Sequence, residues 1–335
     1  MPFFRRKAAA TPDALTNQGM QHLEDGNPAA AIESFASAVK VDPEHGQAWY
    51  GKGCAHSELE QYEEAIRSYE ESAKYAGDRV ALPLFNMGNS YQELGDLQQA
   101  AKCFHEAAQA DPTMADAWIN LGRILDDSGQ HETAVEIYDT ALKIDPEDSM
   151  AWSNRGNSLR ALERFEDALE SYRQALEIDS DDFASQIGQG ACLMETGNEQ
   201  QGLEVLEQSV EATQHPLAVF EFATALGKVE QHEAALVMYD MLIEHEFVSP
   251  ELLNNRGECL AKQDRLDDSL TSFDRAIELD AEFWPAYFGK ARVLVKAERI
   301  DEARPVVEHL CEIGDERELS DPSVQALCEV CGVGQ

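Results

Sequence analysis

Small and bulky apolar residues return along this chain with one period. A small residue stands at Gly19, Gly53, Gly88, Gly122, Gly156, Gly190, Ala223, Gly257 and Ala291, at spacings of 34, 35, 34, 34, 34, 33, 34 and 34 residues. Twelve positions after each comes a second small residue: Ala31, Ala65, Ala100, Ala134, Ala168, Gly202, Ala235, Ser269 and Ala303. Four positions later stands a bulky one: Phe35, Tyr69, Phe104, Tyr138, Tyr172, Leu206, Tyr239, Phe273 and Val307. Residues four apart share a helix face, so each period predicts a pair of helices. The small residue lets the pair approach closely, and the bulky one fills the gap to the next pair. Gly26, Gly95, Gly129 and Gly197 fall between the helices, where a left-handed residue ends the first. Pro43, Pro112 and Pro146, each after an Asp, end second helices.

The clearest copies read Ala117-Trp118-Ile119-Asn120-Leu121-Gly122 and Ala151-Trp152-Ser153-Asn154-Arg155-Gly156. Followed by Ala134, Tyr138, Ala141 and Pro146, and by Ala168, Tyr172 and Ala175, they resemble the tetratricopeptide repeat, W-x2-L-G-x2-Y, then A-x3-F, then A and P. The resemblance implies an all-α solenoid superhelix of antiparallel helix pairs. Nine copies are expected at about 12–45, 46–80, 81–114, 115–148, 149–182, 183–215, 216–249, 250–283 and 284–317. A short basic arm would precede them over 1–11, and a capping helix and tail follow over 318–335. Copies six, seven and nine fit least well: Gln186 replaces the Trp, Gly202 the small Ala, and Pro305 falls inside the last second helix. Each copy buries its apolar face only on its neighbours, which predicts one elongated domain without a single central core.

Charge narrows the partners. With 64 acidic against 26 basic residues the formal net charge is −38, a field that repels nucleic-acid phosphates and anionic lipid. The expectation is a protein or peptide partner, with no nucleic acid and no membrane insertion. No apolar run of signal-peptide or membrane-spanning length follows Arg5, Arg6 and Lys7, and the seven scattered cysteines suit a reducing, cytoplasmic compartment. Carboxylate runs at turns and helix starts read as solvated surface that favours the helix dipole.

Chemistry is sparse. There is no glycine-rich phosphate loop, no G-x-S-x-G and no H-E-x-x-H; His131-Glu132 and His232-Glu233 begin the last motif and do not complete it. Both read as turn residues packing on a hairpin. Cys328-x-x-Cys331, with His309 and Cys311 upstream, has zinc-ligand spacing, against a reading of Cys311 and Cys328 as small apolar residues of the cap. Cys192 and Cys259 read as packing thiols. The chain is therefore expected to be no enzyme, with no catalytic residue, metal or cofactor.

Function is expected on the first helices, which line the concave face of such a stack. Three places before the marker glycine stand Tyr50, Phe85, Ile119, Ser153, Ile187, Phe220, Asn254 and Phe288, either a groove stripe or packing between hairpins. Two places before it stand Asn86, Asn120, Asn154 and Asn255, and one after it Asn89, Arg123, Asn157 and Arg292. A carboxamide donates and accepts, so such a ladder pairs with an extended backbone of any sequence. Arg123 and Arg160 would meet a carboxylate. The arrangement looks like the amide ladders of peptide-binding solenoids, including the repeat region of O-GlcNAc transferases, whose catalytic domain has no counterpart here. It does not match the carboxylate clamp of co-chaperones, since Thr16, Tyr50, Leu82 and Asp116 stand where Lys and Arg are needed. The expected function is a scaffold or adaptor holding an extended segment at Tyr50, Phe85, Asn86, Asn89, Ile119, Asn120, Arg123, Asn154, Asn157 and Arg160. The alternatives are a self-associating homo-oligomeric solenoid, with the basic arm on a neighbour's acidic surface, and a metal protein built on the C-terminal cysteines.

Overall fold

A computed structural model describes residues 11–333, so the arm containing Phe3, Phe4 and Arg5 to Lys7 lies outside the described residues. Among those described there are twenty α-helices and no strand. They fall into two compact units divided between Ser180 and Asp181, in the connection between the fifth and sixth copies. No hairpin is cut by that division, although the periodicity alone predicted a single domain.

The first unit holds five hairpins: α1 (Pro12–Glu24) with α2 (Pro28–Val41), α3 (Gly46–Glu58) with α4 (Tyr62–Tyr75), and α5 (Ala81–Glu93) with α6 (Leu97–Ala110). Then come α7 (Ala115–Asp127) with α8 (His131–Ile144), and α9 (Ser149–Ala161) with α10 (Phe165–Ile178). The second unit holds α11 (Phe183–Glu195) with α12 (Glu199–Thr213), α13 (Pro216–Lys228) with α14 (His232–Glu244), and α15 (Pro250–Lys262) with α16 (Leu266–Leu279). It closes with α17 (Trp284–Lys296) and α18 (Ile300–Ile313), the short α19 (Glu316–Leu319) and α20 (Pro322–Cys331). The one 35-residue spacing is absorbed by a 3-10 turn, Gly77–Arg79, ahead of α5. The one 33-residue spacing follows α12, where Gln214 turns left-handed at φ 48° and α13 starts two residues later.

The marker glycines sit under the bulky rings. A Cβ on Gly19 would lie 2.6 Å from Phe35 Cε1, one on Gly122 2.8 Å from Tyr138 Cε1, and one on Gly156 2.6 Å from Tyr172 Cε1. Phe35 also reaches the next hairpin, 2.4 Å from where a Cβ on Gly51 would be. One ring therefore sets both the spacing within a hairpin and the spacing to its neighbour. In copy six the second small residue is Gly202 because Met194 Sδ occupies the space, 2.8 Å from a Cβ position. In copy eight it is Ser269, whose hydroxyl donates to the Gly257 carbonyl at 2.7 Å.

Every inter-helix turn has a left-handed residue at the same place. Glycine fills it at Gly26, Gly95, Gly129 and Gly197, with φ of 68°, 78°, 75° and 80°. The other five hairpins use Glu60, Glu163, Glu230, Asp264 and Glu298, with φ of 57° to 61°. The next amide bonds back five residues, as Arg164 N does to Leu159 O at 2.9 Å, and closes the helix end. The geometry of the turn thus overrides the preference of a carboxylate residue for negative φ.

Tryptophan ties three of the hairpins to the loop before them. Trp49, Trp118 and Trp152 donate Nε1 to the carbonyls of Pro43, Pro112 and Pro146, and Tyr287 uses its hydroxyl on Ala281 in the same way. In the second unit, α20 packs on α17 and α18, burying Val324, Leu327, Cys328 and Cys331 in the cluster that contains Val307 and Leu310.

Two opposite substitutions test this packing. Gly156→Ala forces a methyl into Tyr172 and is expected to cost about 1–3 kcal/mol. Glu163→Gly, in the turn of the same hairpin, relieves a left-handed side chain and is expected to add roughly 0.5–1 kcal/mol. Urea midpoints measured side by side check both signs.

Candidate functional site

Within the first unit, first helices of successive hairpins touch one another, α1 with α3, α3 with α5 and α7 with α9. They form one face of that stack. Polar contacts between neighbouring helices cross it. Asn86 Nδ2 donates to Tyr50 Oη at 2.8 Å, Arg123 Nη2 to Gln92 Oε1 at 2.6 Å, and Ser158 Oγ to Asp126 Oδ1 at 2.7 Å.

The asparagines of this face divide into those tied into the fold and those left open. Asn86 is tied because the preceding hairpin offers it the Tyr50 phenol. Asn255 likewise lies 3.4 Å from Thr224 Oγ1. At the equivalent places the neighbours of Asn120 and Asn154 are Phe85 and Ile119, which have no polar atom to offer. Asn120 and Asn154 are half-buried and make no side-chain hydrogen bond among the described residues. One place after the marker glycine, the partner is the tyrosine of the same hairpin. Tyr172 Oη donates to Asn157 Oδ1 at 2.8 Å, and Tyr239 Oη meets Thr224 Oγ1 at 3.2 Å. Copy three has Phe104 there, so the half-buried Asn89 also makes no such bond among the described residues. Copy four has Arg123, which reaches away to Gln92, and Tyr138 Oη is buried without a hydrogen-bond partner among the described residues.

The apolar stripe is less open than the sequence suggested. Ile119 is only 6% exposed and packs with Tyr138, Ala134 and Ala151, so it belongs to the interior and not to the groove lining. Tyr50 and Phe85 are half-buried, their rings 6.0 Å from Tyr69 and 5.6 Å from Phe104. Arg123 is exposed, whereas Arg160 is half-buried and already has an interaction partner.

Features that periodicity did not single out also fix this face. Arg155 donates to Asp139 Oδ1 at 2.7 Å and to Ser171 Oγ at 2.6 Å, and Arg256 repeats the fork on Asp240 and Ser272. Lys290 pairs with Asp274 at 2.5 Å in the same register. The signal was an Arg or Lys one place before the marker together with Asp one place after the preceding bulky ring. His131 Nδ1 lies 2.7 Å from Asp126 Oδ1, the same oxygen that accepts from Ser158. The hydroxyl there bonds the carboxylate directly, not the imidazole, so the trio has no base-to-nucleophile relay. Burial pushes the Cys259 thiol up to about 11 and Cys103 up to about 12, which removes the thiolate a nucleophile needs. Among the described residues no group of three or more His, Cys, Asp or Glu is placed to hold a metal ion. The His309 ring instead packs 4.8 Å from Tyr287. No described helix is long and apolar enough to cross a membrane.

Comparison with known proteins agrees with the geometry. The tetratricopeptide repeat profile matches residues 16–79, 85–149, 220–285 and 262–316, and a second profile of that description matches 149–182. These segments cover well over half of the chain, which belongs to the tetratricopeptide repeat family. It is also similar to the probable UDP-N-acetylglucosamine–peptide N-acetylglucosaminyltransferase SPINDLY of Hordeum vulgare, 29% identical over 119 residues. That segment is 33% of this chain and only 12% of that protein. Among solved structures, a tetratricopeptide repeat protein from Parabacteroides merdae superposes with a TM-score of 0.56 at 15% identity, over 84% of this chain and 98% of that one. Yeast Tom70 gives 0.52 at 15% identity, over 97% and 89%. At these identities the likeness concerns the fold. It is a fold whose usual work is to bind protein or peptide, and it is generally not catalytic.

Tyr50 makes the face titratable at high pH. Burial pushes its phenol up to about 12, outweighing the bond from Asn86 that favours ionisation, and burial raises Tyr69, Tyr138 and Tyr239 as well. A raised folded-state pKa contributes stability that is complete below the unfolded value, near 10, and fades as pH climbs towards the folded one. Stability is therefore expected to fall from about pH 10 upward, with phenolate absorbance appearing together with loss of helical circular dichroism. Helix loss complete while the phenolate signal of the buried tyrosines Tyr69, Tyr138 and Tyr239 is still absent, or that signal complete with the helices intact, would contradict it.

Proposed function

We propose that this chain is a non-catalytic cytoplasmic scaffold or adaptor that holds an extended polypeptide along the first-helix face of copies three to five. The observation that carries this reading is the set of half-buried carboxamides Asn89, Asn120 and Asn154 with no partner among the described residues. Half-buried amides retain donors and acceptors that bulk water reaches poorly, and an extended backbone offers both. Of the remaining expected contacts, Arg123, Tyr50 and Phe85 flank the path, Asn86 and Asn157 help hold the face together, and Arg160 is already engaged.

Charge indicates what the guest carries. The last residues of α1, α3, α5 and α7 are Glu24, Glu58, Glu93 and Asp127, all exposed and none in an ion pair among the described residues. A carboxylate at a helix C-terminus opposes the helix dipole, at a cost of about 0.3–1 kcal/mol each. In copies seven to nine the same place holds Lys228, Lys262 and Lys296, the favourable sign. Packed helices lie about 10 Å apart, and a chain extended as polyproline II rises about 3.1 Å per residue with three residues per turn, so every third side chain shares a face. A guest with a basic side chain at about every third position matches the acidic row while its backbone meets the amides.

The test is calorimetric titration with a 12-residue Gly/Ser peptide carrying Lys at every third position, beside a version with Glu in place of Lys. Wild type is expected to bind the first, more weakly as salt rises, and to ignore the second. Asn120→Ala combined with Asn154→Ala should weaken binding about tenfold without lowering the urea midpoint, since neither amide supports the fold. Tyr138→Phe, which removes a buried hydroxyl that no guest can reach, should leave binding unchanged and the free protein as stable or more so. Unchanged affinity in a folded double variant removes this site.

A further inference from the structure

The second unit carries a pair of thiols that the groove reading does not use. Cys311 lies on α18 and Cys328 on α20, and their Sγ atoms are 3.3 Å apart. Cys328 is 4% exposed, while Cys311 is only half-buried and so open to a small reagent. α20 is a ten-residue helix held by a few apolar contacts, chiefly Val324 and Leu327 in the cluster with Val307 and Leu310. The Arg304 Nε donates to the Cys331 carbonyl at 2.9 Å and adds one polar tie. So short a helix, held by so few contacts, is among the first elements to open locally.

We propose that Cys311 and Cys328 form a disulfide that fastens α20 to the ninth hairpin. The thiols already face one another across the helix interface, and closing to a bond of about 2.05 Å needs side-chain rotation over roughly 1.3 Å. The oxidant is a small disulfide such as glutathione disulfide. The Cys311 thiolate attacks one of its sulfurs, the S–S bond breaks, and one glutathione leaves as the thiolate and takes up the proton lost by Cys311. Cys328 then gives up its proton and attacks the Cys311 sulfur, and the second glutathione leaves as a thiol. Two protein thiols are oxidised and one small disulfide is reduced to two thiols. Burial and the neighbouring thiol push Cys311 up to about 11, so little thiolate exists near neutrality and exchange is slow. The pair follows the sustained redox state of its surroundings, not brief pulses. Cys331, buried one turn beyond Cys328, is not a partner in this bond.

The full-length protein, equilibrated with glutathione disulfide or with dithiothreitol, gives the test through non-reducing peptide mapping and amide hydrogen exchange. The expected result is a Cys311–Cys328 link, with exchange in 322–331 slowed about tenfold or more in the oxidised form. Cys331→Ser should keep the link and the slowing, and Cys328→Ser should lose both. Comparing oxidised with reduced wild type needs no variant, so misfolding of a mutant does not blur the answer. No link, a link to Cys331 instead, or a Cys311–Cys328 link with unchanged exchange in α20 would each overturn the proposal.

Discussion

The structure depends on one repeated contact, a ring or branched side chain seated on a small residue, which in seven of the nine copies is a glycine with no room for a Cβ. Phe35 lies against Gly19 in its own hairpin and Gly51 in the next, and Phe273 does the same with Gly257 and Gly289. Because a single side chain sets two spacings, an error in one hairpin passes to its neighbour, and stability is built from nearest-neighbour terms. The interiors reflect this. In the first unit, buried residues such as those around Tyr138 and around Phe35 form separate small clusters. In the second, most buried residues from Val219 to Cys331 belong to one larger cluster, beside a smaller one around Leu206.

Once the rings fix the register, the polar side chains of the first helices have little choice of partner. Position two before the marker looks at the preceding hairpin, and position one after it looks at the tyrosine of its own. An asparagine is tied or open according to what stands there: Tyr50 ties Asn86 and Tyr172 ties Asn157, while Phe85, Ile119 and Phe104 leave Asn120, Asn154 and Asn89 open. The binding capacity of the face therefore comes from the places where a neighbour lacks a hydroxyl. The same residue type at the same repeat position supports the fold in one copy and is available to a guest in another.

Charge is arranged at two levels. Between hairpins, Arg155, Arg256 and Lys290 each bridge to an aspartate of the preceding second helix, and these partly exposed pairs serve register more than stability. Along the ends of the first helices, carboxylates in copies one to four oppose the helix dipole while lysines in copies seven to nine accord with it. An excess of 64 acidic over 26 basic residues thus has a specific geography, which the composition does not convey.

The period of 34 residues, with its small and bulky positions, determined by itself that the chain makes nine hairpins, where each turn falls, and which rings are buried. These are local packing demands, and any copy states them in full. It also placed the asparagines at repeat positions on the first helices. What only the tertiary structure decided is which of those asparagines have a partner, because the answer lies on a neighbouring helix some 15 to 36 residues away. The burial of Ile119, the carboxylates held left-handed at five turns, and the meeting of Cys311 with Cys328 were likewise invisible in the pattern. Each follows from how one hairpin presses on the next, a relation that repeat spacing implies but does not itself measure.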